Sequence, residues 1–401
     1  MRFAHLADVH IGAWRDPSMK GLSLRAFREA VSIIIKEKLD FAIIAGDLFN
    51  TALPAIDHLQ ESVVLLKKLK QAGIPVYVVP GSHDYNAAGK SILDVLDEAE
   101  LLINVMKLSS HNDKMILSFT KDQKTSTLLT GFGGRRGSLE HNDFKNLFVA
   151  EVKEKAFRIF VFHSSVEELK PVEMEAMASI GAEELPKGFD YYAGGHVHIV
   201  AHKDLPGRKN VVYPGPIFPA NFSELWKLEK GGFYIYDNGK LEFVPLQIKK
   251  VVRLEGDAEG KSPEQLNQTM EARIKEADVK DSIVMMRLHG KLGSGKPGDI
   301  DFRGFFGKLY SRGAFFVMRN TSQLSSVEME RVQISSGTSE EVEEEMINKH
   351  VQSSKNQMFG KEEAAVIKKL IRAMSAEQLD GEKKYEYEAR MKKEAEKILL
   401  K

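Results

Sequence analysis

The sequence contains no cysteine, which excludes disulfides, thiolate-bound zinc and thiol nucleophiles, and is compatible with a reducing compartment. It has no surplus charge either. Lys plus Arg and Asp plus Glu balance at 57 each, so no global field attracts nucleic acid, and such binding would need a local basic face. No apolar run approaches the roughly 18 residues of a membrane span. The N-terminus, Arg2-Phe-Ala-His-Leu6, enters a strand-like run without the charged region and apolar stretch of a signal peptide. A soluble cytoplasmic protein is expected. There is no internal repeat, and 401 residues at 43% hydrophobic give room for two or three domains with cores of their own.

What the sequence does have is a set of apolar runs that each end on a polar, metal-binding type of side chain. Phe41-Ala-Ile-Ile-Ala-Gly-Asp47 is a strand-length run followed by glycine and a carboxylate, which places Asp47 at the C-terminal end of a buried strand. Phe3-Ala-His-Leu-Ala-Asp8-Val-His10 repeats the design. Val76-Tyr-Val-Val-Pro80 leads into Gly81-Ser82-His83-Asp84, His163 follows the run 157–162, and Gly194-Gly-His196-Val-His198 follows the run 189–192. Five strand ends with one chemistry point to a two-metal site bridged by Asp47. His196 and His198 are alternate residues that share a face only in extended chain, and the two glycines before them favour a loop. Carboxylates with imidazoles, in the absence of thiolate, suit Mn²⁺, Fe or Zn²⁺, with manganese or iron slightly favoured. Two such ions clamp a phosphate, lower the pKa of a bridging water and stabilise the departing oxygen.

Three regions follow in order along the chain. Residues 1–247 alternate short apolar runs with amphipathic helices, the pattern of a layered α/β domain. Helices are expected over 23–38, 56–72 and 91–102; the second stops at Gly73 with Pro75 beyond. Their apolar stripes either pack on the sheet or leave some surface for a homodimer bundle. Weaker alternation over 107–131 indicates further strands, followed by a glycine-rich loop with Arg135 and Arg136 that could contact phosphate or simply be solvated. Residues 248–336 read as strand, helix, strand, helix, strand, a small α+β domain whose Arg287, Lys291, Lys296, Arg303, Lys308 and Arg312 could follow a nucleic-acid backbone or form a mixed solvated surface. Residues 337–401 are strongly charged, beginning with Glu340-Glu-Val-Glu-Glu-Glu345. Within them 363–374 presents Ala365, Ile367, Leu370, Ile371 and Met374 without enough apolar partners in the tail, the pattern either of a docking helix or of a mobile charged extension with marginal helices.

The ordered set Asp8-x-His10, Gly46-Asp47, Gly81-Ser82-His83-Asp84, His163 and Gly195-His196-x-His198 resembles the calcineurin-like metallophosphoesterases. Within that superfamily, Gly46-Asp-Leu-Phe-Asn-Thr-Ala-Leu-Pro54, Val212-Tyr-Pro-Gly-Pro216 and Asn221-Phe-Ser-Glu224 resemble the nuclease subunit of the SbcCD-type double-strand-break repair complex, especially its archaeal members. The likeness is close over the first domain and looser beyond it. It implies a layered β-sandwich flanked by helices, a small α+β capping domain and a C-terminal helical tail. It further implies that Asp8, His10, Asp47 and His198 hold one divalent metal ion, Mn²⁺ by preference, and that Asp47, His163, His196 and Ser82 hold the other. By the same resemblance His83 faces the substrate phosphate, with Asp84 orienting its imidazole. The family's usual asparagine is replaced by Ser82, a shorter and weaker ligand, and the histidine of many relatives is replaced by Asn50.

The implied activity is hydrolysis of double-stranded DNA ends, with a homodimer through residues 56–72 and 91–102 and an ABC-type coiled-coil ATPase docked on the C-terminal helices. A protein phosphatase of the superfamily would follow Gly-Asp with an Asp-Arg pair, and Leu48-Phe-Asn50-Thr51 offers none. A small-molecule phosphodiesterase leaves the small domain and tail unexplained. A non-catalytic scaffold is disfavoured by the nearly complete set of ligand positions.

Overall fold

The computed structural model describes residues 1–85, 90–111, 114–135, 140–175, 177–327, 344, 346–348, 351, 359–376 and 384–399. The apolar runs form strands in two six-stranded sheets. In the first, β1 (Arg2–Leu6), β2 (Phe41–Ala45), β3 (Val76–Val79) and β4 (Ile103–Asn104) run parallel. After β5 (Lys107–His111), β6 (Lys114–Ser118) and β7 (Thr120–Lys121), the second sheet is built on parallel β8 (Leu128–Phe132), β10 (Arg158–His163), β11 (Tyr191–Gly195) and β13 (Arg208–Pro214). Antiparallel β7 and β12 (Val200–Leu205) form its edges. β9 (Leu147–Val149) completes a three-stranded sheet with β5 and β6, while β14 (Gly231–Asp237) and β15 (Lys240–Leu246) extend the first sheet beyond β1. The weak alternation after residue 107 is thus resolved into four strands.

Alternation along the strands explains the layering. Phe3, Phe41, Ile43 and Tyr77 of the first sheet meet Leu129, Ile159, Val161 and Tyr191 of the second in one buried core. Phe3 stacks on Phe41 at 4.9 Å and meets the edge of Tyr191 at 5.1 Å. The intervening residues Ala4, Leu6, Ala42 and Ile44 face the other way, onto the buried stripes of helices Leu22–Lys36 and Ile56–Gln71. Phe160, Phe162, Tyr192 and Tyr213 cover the outer face of the second sheet together with Phe144, Ile180 and Leu185. Removing each such large side chain from water contributes about 1.5–3 kcal/mol. The result is the layered α/β domain that the pattern predicts, in the form of the helix-flanked sandwich that the resemblance implies.

The helix expected over 91–102 is shorter, Ile92–Glu98. It begins in a capping box between Ser91 and Asp94, and Glu100 takes a left-handed conformation with φ 54° that ends it.

Contacts divide the chain into two compact units, Met1–Glu255 with Met270–Arg287 and Phe302–Asn320, and Gly256–Thr269 with Leu288–Asp301 and Thr321–Lys401. The expected alternation past residue 248 is present: β16 (Lys250–Asp257), helix Pro263–Glu276, β17 (Ser282–Leu292), helix Phe302–Ser311 and β18 (Phe316–Ser326), with sheet order β16-β17-β18. In the tail, helices Glu363–Met374 and Lys384–Leu399 pack on each other, with the Tyr387 hydroxyl donating to the Ala376 carbonyl at 3.1 Å. No residue of the first of these helices is buried; Met374 is 61% exposed. Most of the acidic run 340–345, and Arg136 of the glycine-rich loop, lie outside the described residues. Among the described residues no helix is long and apolar enough to cross a membrane.

Candidate metal centre

The C-terminal ends of β1, β2, β3, β10 and β11 converge, and each delivers side chains from its last residue or from the turn that follows it. Those turns are conformationally costly. Asp8, His10, Asp47, His196 and His198 all have positive φ, which L-residues adopt rarely and which functional sites retain. Glycine appears where the backbones crowd the cluster. A Cβ on Gly46 (φ +83°) would lie 2.1 Å from His163 Nδ1, and one on Gly81 would lie 2.1 Å from Asp47 Oδ1.

Asp8, His10, Asp47 and His163 are buried to within 2% exposure. Both Asp8 oxygens accept from the His196 amide at 3.0 and 3.1 Å. Asp47 Oδ1 accepts from the His83 amide at 2.8 Å, which leaves Oδ2 turned to His163 Nε2 at 3.2 Å and His10 Nε2 at 3.5 Å. His198 Nε2 lies 3.5 Å from Asp8 Oδ1 and 2.9 Å from His10 Nε2.

Tautomers decide what those short approaches mean. His163 Nδ1 lies 2.9 Å from the Ala45 carbonyl, which only accepts, so Nδ1 carries a proton, and in its neutral form the ring would turn an Nε2 lone pair on the Asp47 carboxylate. That nitrogen is also a buried atom without a hydrogen-bond partner. His198 Nδ1 is likewise turned to a carboxylate, Glu224 Oε1, at 2.9 Å, and its Nε2 faces Asp8 and His10. Lone pairs aimed at carboxylates repel unless a positive charge lies between them, so the donor set fits divalent cations. Among the described residues, three groups each bring their ligand atoms within 4.8 Å of one another: Asp8-His10-His198, His10-Asp47-His83 and Asp8-Asp47-His163.

The electrostatics agree. Burial raises the Asp47 carboxyl, yet the neighbouring imidazoles of His163 and His10 overcome it and hold the group well below the usual carboxylate range. Burial disfavours charge on His163, but Asp47 and Asp8 reverse this and raise it to about 9; Asp8 and Glu224 raise His198 well above its ordinary value in the same way. This carboxylate field draws protons onto the rings, and it would equally draw a divalent cation. His10 and His196 are pushed down to about 4, chiefly by burial, and so stay neutral and able to ligate at pH 7.

The remaining expected residues fall as follows. His196 contributes its amide to Asp8, and its ring lies 5.1 Å from that of His163. Ser82 sits in the same turn as His83, half-buried. His83 is exposed at the cluster, its ring 4.8 Å from that of His10. The expectation that Asp84 orients His83 is not what the geometry shows: His83 Nδ1 is held by the Asn50 carbonyl at 2.8 Å. Asp84 instead accepts from the buried amides of Leu48, Phe49 and Gly81 at 3.0–3.2 Å, clamping the turn after β2 to the turn after β3. Burial and the nearby Asp47 charge raise its pKa to about 7. Backbone donors take up its oxygens, so it faces away from the imidazole. Glu224 is the residue that sequence reasoning missed; it was visible only as part of the Asn221-Phe-Ser-Glu224 motif.

Residues 1–200 match the calcineurin-like phosphoesterase family. This stretch is a calcineurin-like phosphoesterase domain, and it marks the chain as a metal-dependent hydrolase of phosphoesters. The chain is similar to proteins named "DNA double-strand break repair protein Mre11" from three archaea. The Archaeoglobus fulgidus protein is 26% identical over 72% of this chain and 68% of its own length. The Methanopyrus kandleri protein is 27% identical over 64% and 60%, and the Methanococcus maripaludis protein 28% identical over 59% and 63%. The chain therefore spans a little under two thirds of the length of most of these relatives.

Proposed function

We propose that the chain is a metal-dependent DNA nuclease that hydrolyses phosphodiesters at double-strand ends. The observation that carries this reading is the convergence of Asp8, His10, Asp47, His163 and His198 on one buried cluster with His83 exposed beside it, in a chain whose relatives are named for double-strand-break repair. Asp8, His10, Asp47 and His198 would hold one divalent ion, and Asp47, His163, His196 and Ser82 the other, with Mn²⁺ as our assignment. The ions would supply a charge clamp on the phosphate and an acidified water.

The chain's own residues do the positioning. The Ala45 carbonyl fixes the tautomer of His163, and the His196 amide fixes Asp8. His83, anchored through Nδ1, keeps Nε2 free to meet a phosphate oxygen or hold a proton on it. Residues 248–336 act in this reading as a DNA-holding cap. Residues 337–401 act as the docking tail for an ABC-type coiled-coil ATPase, consistent with the unburied apolar residues of helix Glu363–Met374. Ile56 and Val95, 81% and 61% exposed, would join a homodimer interface, and the complex would act in the cytoplasm.

The test compares two substrates with purified protein and Mn²⁺: a blunt DNA duplex and bis-p-nitrophenyl phosphate. Degradation of the duplex supports the reading. Hydrolysis of the small diester alone would replace it with a small-molecule phosphodiesterase.

A further inference from the structure

One motif remains unused by this reading. Asn221-Phe-Ser-Glu224 opens the short helix Phe222–Leu228, and each of its ends has a distinct job. The Asn221 side chain caps the helix, accepting from the Glu224 amide at 3.0 Å and donating to the Glu224 carboxylate. Glu224 Oε2 accepts from the Ala220 amide at 2.8 Å, while Oε1, which takes the Asn221 donation, also faces His198 Nδ1 at 2.9 Å. Both side chains are sheltered, at 16% and 17% exposure.

The far side of the helix is pinned as well. Phe222 stacks on Trp226 at 5.8 Å, and the Arg287 guanidinium lies 4.2 Å over the Trp226 ring. The Trp14 indole, from the loop after β1, donates to the Pro219 carbonyl at 3.0 Å and ties down the approach to the cap. A carboxylate bonded at both oxygens on a helix clamped from two sides is a rigid acceptor.

We infer that Glu224 is the positioning residue of the metal centre: its Oε1 holds the Nδ1 proton of His198, which fixes the tautomer and aims Nε2 at the ion shared with Asp8 and His10. Without it, the ring can place its proton on Nε2 or rotate, and either change removes one ligand from one ion while leaving the ligands of the other in place. This rests on the metal-centre reading above, but concerns binding rather than cleavage.

The experiment is a calorimetric Mn²⁺ titration of the full chain as wild type, Glu224→Ala, Glu224→Gln and Glu224→Asp, with thermal melts of each. Glu224→Ala should weaken one class of site by about 10–100-fold and leave the other unchanged. Glu224→Gln, whose amide oxygen can still accept from Nδ1, should restore most of the affinity. Glu224→Asp, one methylene too short, should not. A wild-type isotherm in Glu224→Ala overturns the inference. So does loss at both sites with a lowered melting temperature, or rescue by Asp and not Gln, which would make charge rather than reach the cause. If the wild type binds Mn²⁺ at two sites but leaves DNA intact, the nuclease reading fails and this inference stands. If the wild type binds none, both fall.

Discussion

The Nδ1–H of His163 donates to the carbonyl of Ala45 across 2.9 Å, two residues before Asp47, and thereby points Nε2 at Asp47 Oδ2, 3.2 Å away. One backbone carbonyl at the end of β2 thus sets the tautomer of a ring at the end of β10, and the turn after the same β2 supplies the carboxylate that the ring faces. Closeness of the two sheets at this point is what makes the centre possible.

That closeness requires Gly46. A methyl group there would meet His163 Nδ1 at 2.1 Å, at a φ of +83° that alanine tolerates poorly. Gly46→Ala should lower unfolding free energy by about 1–3 kcal/mol and weaken Mn²⁺ binding. Urea denaturation and metal titration check both, and a variant with unchanged stability would contradict the packing described.

Asp84 and His83 are adjacent in sequence but should separate cleanly in experiment. Asp84→Ala strands three buried amides and should cost at least about 3 kcal/mol in urea denaturation. His83→Ala removes an exposed ring and should change stability by no more than about 0.5 kcal/mol. It should keep both metals and slow phosphodiester cleavage by about 10²–10⁴-fold. Metal loss in His83→Ala would make His83 a ligand, which its grouping with His10 and Asp47 permits geometrically.

Beneath the centre, His5 is buried against the Tyr191 hydroxyl at 3.0 Å, and burial pushes its pKa down to about 3. Between that value and the ordinary 6.5, the unfolded chain binds a proton that the folded chain does not, so stability falls as pH drops below 6.5. The contribution is about 1.4 kcal/mol per pH unit, or about 2 kcal/mol between pH 6.5 and 5. Guanidinium denaturation at these two pH values should show that much less acid sensitivity in His5→Gln than in the wild type. Equal sensitivity in both would show that His5 is not held neutral.

Much of this was legible in the sequence, for a physical reason. A buried strand reads as an apolar run, and a ligand at its end reads as the polar residue that breaks the run, so Asp8, Asp47, His163 and the His196-x-His198 pair stood out before any coordinates. Asp84 was misread because adjacency in a tight turn says nothing about which way a side chain faces, and its partners are backbone amides, which carry no sequence signal. Glu224 was missed because it lies on a helix surface 26 positions after His198, where a glutamate is ordinarily solvated. The helix expected to reach residue 102 stopped early because a left-handed Glu100 cannot be foreseen from the apolar stripe that continues past it.

Residue 82 offers a graded test. Serine is shorter than the asparagine usual in the family, so Ser82→Asn should tighten the weaker Mn²⁺ site. An unchanged isotherm would mean that this position does not bear on the metal.

The most direct measurement is the number of Mn²⁺ ions bound per chain, by equilibrium dialysis, for the wild type and for Asp47→Ala with its fold verified by circular dichroism. The account expects two ions in the wild type, and one or none in the variant, because Asp47 turns its free oxygen toward both His10 and His163. Two ions in the variant, or none in the wild type, would contradict it.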